Sequence, residues 1–545
     1  MRTPQNRPVP SGPETGELIG ADIVAACAEL EQNDTANGQR LLSHFGADLL
    51  HVREVGWHIW AGRLWRREGG DEAVTRLAQR TARRIALEAD VLGLTARERA
   101  FVDAARELRR KSPENLTGED RSAIDAADGV LDALTGRRAA RRKFSVQSGN
   151  APKVNAMVSQ ALPHKTIGPG DLDADPLLFN CENVTLALSR VVDPESEGDQ
   201  HLRYRLWVDP VEHSRAHYIT KLAPVVYDPE ATCPKWDEFM KKFQPNENVR
   251  RFLQVFHGLA MTGLTGAQCF VYNYGTGANG KSTFMEALAS LYGGYSDLLN
   301  AESITGQGQR RGDQATPDFA ELPGVRYLRI SELPRGEDLK EALVKSLTGG
   351  DEIKARHLNK GFFKFTPCFK AAISGNDMPK IGGTDHGIWR RLRLVKWSVM
   401  IPEGERRPMN EVLAEFEAER SGILNWLLEG LDIYMQEGLV TPKEVTDATQ
   451  AYRDEMDPIA AFIEDCLAQC DGHHETARDV YVAFVRWCNA NAIRPWKETF
   501  FGRVLPQKGI VKEKTRVRRY LNVKLHDVPD ASAEVPAPSE GGEGR

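Results

Sequence analysis

The stretch Gly275-Thr-Gly-Ala-Asn-Gly-Lys-Ser282 fits the pattern G-x-x-x-x-G-K-[ST], with glycines at Gly275 and Gly280 ahead of Lys281 and Ser282. Its flanks restrict what can carry it. Residues 267–274 form an apolar run that reads as a buried strand, and residues 283–292 have apolar positions at helical spacing. Strand, glycine loop and helix together make a chance glycine-rich turn a poor alternative. Glycines let such a loop wrap a phosphate chain with successive N–H groups pointing inward, and the helix N-terminus adds partial positive charge. Lys281 then reaches the β- and γ-phosphates, the Ser282 hydroxyl ligates Mg²⁺, and Thr276, Gly277, Ala278, Asn279 and Thr283 complete the cradle. The spacing predicts a triphosphatase site for ATP and Mg²⁺.

A chain of 545 residues is too long for one core and suggests about three or four domains. The net charge of −6 excludes a uniformly basic DNA-coating protein but permits local basic surfaces. Eight cysteines follow no framework spacing, which suits a reducing cytosol, and no apolar run approaches membrane-spanning length. A soluble cytoplasmic protein with no membrane partner is expected.

Residues 1–40 read as a flexible leader with one short helix candidate at 21–32. The alternating Gly56-Trp-His-Ile-Trp-Ala-Gly-Arg-Leu-Trp65 signals a hairpin whose Trp57, Trp60 and Trp65 suit a small core better than base stacking. Residues 71–142 read as helices, and Arg106, Arg109, Arg110, Arg137, Arg138, Arg141 and Arg142 as a solvated face, with phosphate contact as the lesser alternative. Asp171-Leu-Asp-Ala-Asp175 lies in a Gly/Pro-rich connection and is expected to be a solvated loop, not a metal site. Short strands fill 177–227, and helices 236–258 lead into the nucleotide core.

Within that core, Gly324-Val-Arg-Tyr-Leu-Arg-Ile-Ser-Glu332 approximates a strand with Glu332 at its C-terminal edge, where an open α/β sheet places active groups. A carboxylate there holds Mg²⁺-bound water or polarises the attacking water. Residues 343–360 predict a helix ending at Gly349-Gly350, then a hairpin with Lys354, Arg356, His357 and Lys360 near its tip. Clustered cations at a tip suit a phosphate backbone better than a core. Phe369-Lys-Ala-Ala-Ile-Ser-Gly-Asn376 reads as a buried strand whose terminal amide can meet the γ-phosphate or the attacking water. Arg390 and Arg391 are candidates for an arginine acting on a neighbouring subunit's γ-phosphate, and spacing does not choose between them.

These pieces in this order resemble the superfamily 3 helicases, and more closely the phage/plasmid primase–helicase family, which includes satellite-phage primases and the poxvirus primase-helicase. The resemblance is carried by Gly-Ala-Asn-Gly-Lys-Ser-Thr283, Ser331-Glu332, Lys345 with Thr348-Gly-Gly-Asp351, Arg356-His-Leu-Asn-Lys360, Asn376 and Arg390-Arg391. Arg356-His-Leu-Asn-Lys360 is also similar to the DNA-contacting hairpin of polyomavirus large T antigen. Residues 41–65 and 228–250 resemble the domain preceding the helicase and its junction. The resemblance implies a multidomain α/β protein: a mixed α+β domain at 41–235, an AAA+-like P-loop ATPase core with helical collar at 236–455, a winged-helix domain at 456–527 and a disordered tail at 528–545. It further implies a homo-hexameric ring with one DNA strand in its channel, with a replicative polymerase or primase as further partners, in a bacterial host's cytosol and encoded by a phage or mobile element. Two departures stand out: Ser331 replaces one member of the usual carboxylate pair, and no priming motif precedes residue 41.

In the C-terminal region, helices at 459–469, 477–492 and 497–508 precede a basic hairpin at 509–523. Lys512, Lys514, Arg516, Arg518 and Arg519 would put phosphate-binding charge on this wing, or leave it a solvated or protein-docking one. Cys466, Cys470, His473 and His474 make a poor zinc set, since the two cysteines sit one turn apart in an apolar helix pattern. The expected function is an ATP-dependent replicative DNA helicase. The alternatives are an origin-binding initiator assembled by ATP, a primase site hidden within 66–210, and an AAA+ remodeller of non-DNA substrates.

Overall fold

The computed structural model describes residues 20–196, 202–306, 317–333, 337–356, 361–381, 386–491, 493, 495–514 and 517–528. Its organising element is a five-stranded parallel sheet. In chain order the strands are Phe270–Tyr274, Ser296–Leu299, Tyr327–Ile330, Lys370–Gly375 and Leu392–Lys396, and across the sheet they run fifth, first, fourth, third, second. Strands buried on both faces need continuous apolar sequence, and the first strand, Phe-Val-Tyr-Asn-Tyr, supplies it. Its neighbours are strands reached by different crossovers, so a crevice opens at its C-terminal end.

Helices Pro234–Phe243 and Glu247–Leu259 cover one face of the sheet together with Arg420–Glu437. One apolar core joins Phe179, Trp236, Phe256, Phe284, Trp397 and Leu431, so packing does not break at residue 235. The two helices Glu247–Leu259 and Arg420–Glu437 touch backbone to backbone at Gly258 and Gly430. His257 lies in this core, fully buried among the rings of Phe256, Phe284 and Tyr327, with neither ring nitrogen hydrogen-bonded among the described residues. Burial pulls its pKa from 6.5 down to about 3. The unfolded chain therefore binds more protons than the native one in that window, so stability present above pH 6.5 is lost as pH falls toward 3. His44 and His58 are pulled down to about 4, also mainly by burial, and act in the same direction. Unfolding free energies from urea titrations at pH 7.5 and pH 5 should differ by on the order of a few kcal/mol, and His257→Phe should shrink that difference.

Before the core, helices surround a four-stranded sheet containing Leu49–Val52, Gly56–Trp60, Trp65–Arg66 and Thr166–Ile167. Trp57, Trp60 and Trp65 are all buried, as the hairpin pattern suggests. The arginine run departs from a uniform solvated face. Arg141 is buried and pairs with Glu88, which Arg40 also holds at 2.8 Å. A lone buried carboxylate is costly, and helix Gly118–Ser148 passes where a second guanidinium can reach it. The acidic 171–175 segment also departs from a plain solvated loop. Asp173 accepts from the Thr220 N–H at 2.8 Å and from its hydroxyl. The carbonyls of Asp175 and Pro176 accept from the buried Arg326 guanidinium at 2.9 and 2.7 Å, tying this segment to the third core strand.

A three-stranded antiparallel sheet, Leu178–Asn180, Thr185–Val192 and Tyr204–Val211, packs on helix Arg420–Glu437 through the Leu206 N–H to Asp432 bond at 2.7 Å. At the other end, helices Pro458–Cys466, Ala477–Ala490 and Glu498–Val504 enclose their own core of Phe462, Phe484, Phe501 and Tyr520. The helix expected at 459–469 is shorter than its apolar spacing suggests. Helix Pro458–Cys466 stops at Cys466, and Gln469 and Cys470 lie on strand Leu467–Thr476, which pairs with Arg518–Leu525 and adds a third strand to the expected hairpin. Tertiary pairing overrides the helical spacing of this short apolar run. No helix of the described residues is long and apolar enough to cross a membrane.

Candidate functional site

The loop between the first core strand and helix Lys281–Tyr292 is bent by left-handed residues. Gly277 has φ 97°, Ala278 47° and Gly280 81°. Gly275 is required for a different reason: a Cβ there would stand 2.4 Å from the Trp397 carbonyl and 2.2 Å from the Asn279 amide nitrogen. That amide, buried, donates to the same carbonyl at 3.0 Å and pins the loop to the end of the fifth strand. No side chain caps the N-terminus of helix Lys281–Tyr292, which leaves its first N–H groups to a ligand. Thr276 and Ser282 are exposed at this mouth and Thr283 is half-buried.

Lys281 is 4% exposed, and its ammonium donates to the Gly275 carbonyl at 2.7 Å and to Asn376 Oδ1 at 3.2 Å. Burial draws its pKa below the ordinary lysine range, and the Glu332 carboxylate opposes that shift. Asn376 follows the fourth strand and Glu332 lies two residues past the third. The Asn376 N–H donates to Glu332 Oε1 at 2.9 Å. Three residues far apart in sequence are thus one linked group at the sheet's C-terminal edge. The donor set fits a triphosphate with a divalent cation: turned backbone amides, one ammonium, one hydroxyl and one carboxylate.

Arg390 and Arg391 lie apart from this group. They precede Leu392, which pairs with Phe270 at the opposite edge of the sheet. Arg391 is buried and donates to the Gly387 carbonyl at 2.8 Å, whereas Arg390 is exposed in a cleft of about 310 Å³ shared with Arg393 and Arg453. Strands Ile353–Ala355 and Phe363–Phe365 form the basic hairpin. Its Lys354 ammonium and Arg356 guanidinium sit 4.3 and 4.5 Å from the centre of the Phe362 ring. His357 and Lys360 lie outside the described residues, as does Arg516. In the C-terminal sheet, Arg518 is exposed opposite Lys514, and Arg519 is half-buried opposite Glu513. Lys512 turns back to donate to the Gly502 carbonyl at 2.8 Å. No cluster of three or more His, Cys, Asp or Glu suited to a metal occurs among the described residues.

Phe239 and Phe243, beside the loop, belong to no sequence motif. Their only signal is the apolar face of helix Pro234–Phe243.

Two family profiles match this chain: "D5 N terminal like" over residues 38–245 and "Poxvirus D5 protein-like" over 454–531, together just over half of it. These two segments are domains of the D5 primase-helicase type. Among relatives of this D5-like chain, "Putative helicase L207/L206" of Acanthamoeba polyphaga mimivirus is 29% identical over 46% of the chain and 28% of its own length. "Putative helicase 022R" of Frog virus 3 is 27% identical over 47% of the chain and 28% of its length. "Putative primase C962R" of African swine fever virus (isolate Warthog/Namibia/Wart80/1980) is 24% identical over 52% of the chain and 31% of its length. The D5-like chain thus spans less than a third of each of these relatives. Among solved structures, the apo C-terminal region (305–718) of NrS-1 matches at a TM-score of 0.35 and 10% identity, over 62% of this chain and 96% of that one.

Proposed function

We propose that this D5-like chain is the ATP-hydrolysing subunit of a replicative DNA helicase. The observation that carries this is the linked group at one sheet edge: Lys281 bonded to Asn376, and Asn376 bonded to Glu332. Ser282 and Glu332 would hold Mg²⁺, which supplies charge neutralisation across the phosphates. Lys281 binds the β/γ-phosphates, Glu332 orients and deprotonates the attacking water, and Asn376 reports the γ-phosphate to both. The parallel sheet with its phosphate-loop strand between the fourth and fifth strands supports an AAA+-like core. The C-terminal three helices and three strands support a winged helix.

The exposed Arg390 is the better candidate for action on an adjoining protomer, because Arg391 is committed within its own chain. That assignment fits a closed ring, with a hexamer as the proposed form and a single DNA strand in its channel. Lys354 and Arg356 supply the cationic grip there. A polymerase or primase as further partner, and a phage or mobile-element source acting in a bacterial cytosol, complete the reading that the family resemblance supports.

Fork unwinding and phosphate release, measured together, test it. Arg356→Ala should keep basal ATP hydrolysis and lose most strand displacement. Arg390→Ala should lose hydrolysis in the assembled form, and wild type mixed with excess Arg390→Ala should fall more steeply than dilution alone. Duplex binding with ATP turnover but no displacement by wild type would instead support an origin-binding initiator.

A further inference from the structure

The backbone that leaves the fourth core strand is held from two sides. Asn376 opens this segment, and Asp377, Met378 and Pro379 follow. Tyr272, on the first core strand, donates from its hydroxyl to the Asp377 carbonyl. Tyr452, in the last turn of helix Lys443–Glu455, donates from its own hydroxyl to the Pro379 carbonyl. Both rings are buried, and burial pushes both phenols well above the ordinary tyrosine pKa, so each stays protonated and able to donate. The first contact accounts for Gly375, where an added Cβ would collide with the Tyr272 oxygen. Two donors thus fix the backbone just past the amide that the proposed reaction uses.

Tyr452 has a second partner. Its ring meets Trp389 edge-on, with centres 5.4 Å apart and planes at 72°. Trp389 is buried and directly precedes the exposed Arg390. The helix that carries Tyr452 is fastened to the fifth strand, since Thr449 Oγ1 accepts from the Leu394 N–H at 3.0 Å. Just ahead of that helix, Thr441 Oγ1 accepts from Arg393 Nε at 2.9 Å. One buried side chain therefore touches the segment behind Asn376 by its hydroxyl and the residue before Arg390 by its ring. Close-packed interiors yield little, so a shift of either segment presses on the other through this ring.

We propose that Tyr452 is a positioning residue that ties Asn376 to Arg390, so that loss of the γ-phosphate in one site resets the arginine serving the next. The proposal rests on the ATPase reading above and on Arg390 acting across protomers. It makes hydrolysis cooperative in ATP: the state of one site sets the competence of its neighbour.

The test is steady-state hydrolysis by the full chain across ATP concentration, read as kcat, KM and Hill coefficient, beside a thermal melt. Tyr452→Phe removes the hydroxyl and keeps the ring. It should lower kcat about tenfold, leave KM within about twofold, and bring a wild-type Hill coefficient above one down to one. A tyrosine that only supports the fold would lower the melting temperature and the active fraction without changing the Hill coefficient. Trp389→Phe trims the ring contact, leaves the hydroxyl in place and should also lower the Hill coefficient; it decides the matter where Tyr452→Phe does not fold. A wild-type Hill coefficient of one, or variants that fold and keep the wild-type coefficient, would overturn the proposal. Turnover that Lys281→Ala leaves undiminished would instead overturn the ATPase assignment.

Discussion

Lys281→Ala should reduce ATP turnover by about two to three orders of magnitude or more, the scale of losing one preorganised electrostatic contact to a transition state. The side chain is the only ammonium in the linked group at the sheet edge, and it holds both the loop, through Gly275, and Asn376. Its loss removes charge from the phosphates and lets the amide turn away. The change should not unfold the chain. Lys281 is a buried cation whose desolvation already opposes its charged form, so removing it relieves an electrostatic cost as it opens a small space. The measurement is steady-state phosphate release alongside a thermal melt. Unchanged turnover in a folded variant would remove the basis for the ATPase.

The second large effect is structural. Gly258→Val should prevent stable folding. A Cβ at Gly258 would sit 2.4 Å from the Leu427 carbonyl oxygen and 2.6 Å from the Leu431 nitrogen, and backbone atoms inside a helix cannot step aside. Helices Glu247–Leu259 and Arg420–Glu437 would have to part, and the core beneath them would lose its packing. Overpacking a dense core typically costs about 1–3 kcal/mol, and here the resisting atoms are backbone, so the upper end or beyond is expected. Gly404→Val is the control, since nothing lies within 4 Å of its added Cβ. Soluble yield and melting temperature separate the two.

The site was more legible than its surroundings, for a physical reason. A loop that wraps phosphate needs glycines at fixed offsets, and a parallel sheet exposes functional groups only at strand ends. Gly275–Lys281, Glu332 and Asn376 could therefore be placed from local sequence. Arg141 and Asp173 could not. Their environments are set by Glu88 and Thr220, which lie about fifty residues away in the chain, and no local pattern distinguishes such partners from solvent. The strand at Leu467–Thr476 was missed because its partner, Arg518–Leu525, is similarly distant. That Arg391 is buried while Arg390 is exposed is likewise invisible in two adjacent identical residues.

The Phe362 ring, with Lys354 and Arg356 resting on it, has a consequence for any polyanion that reaches the hairpin. Long cationic side chains ordinarily surrender rotamer freedom when they close on a phosphate, and that lost freedom subtracts from affinity. Anchored to one aromatic plate, these two have given up much of it in advance. A polyanion meeting charges already held at a set spacing would lose less of its binding energy to ordering them.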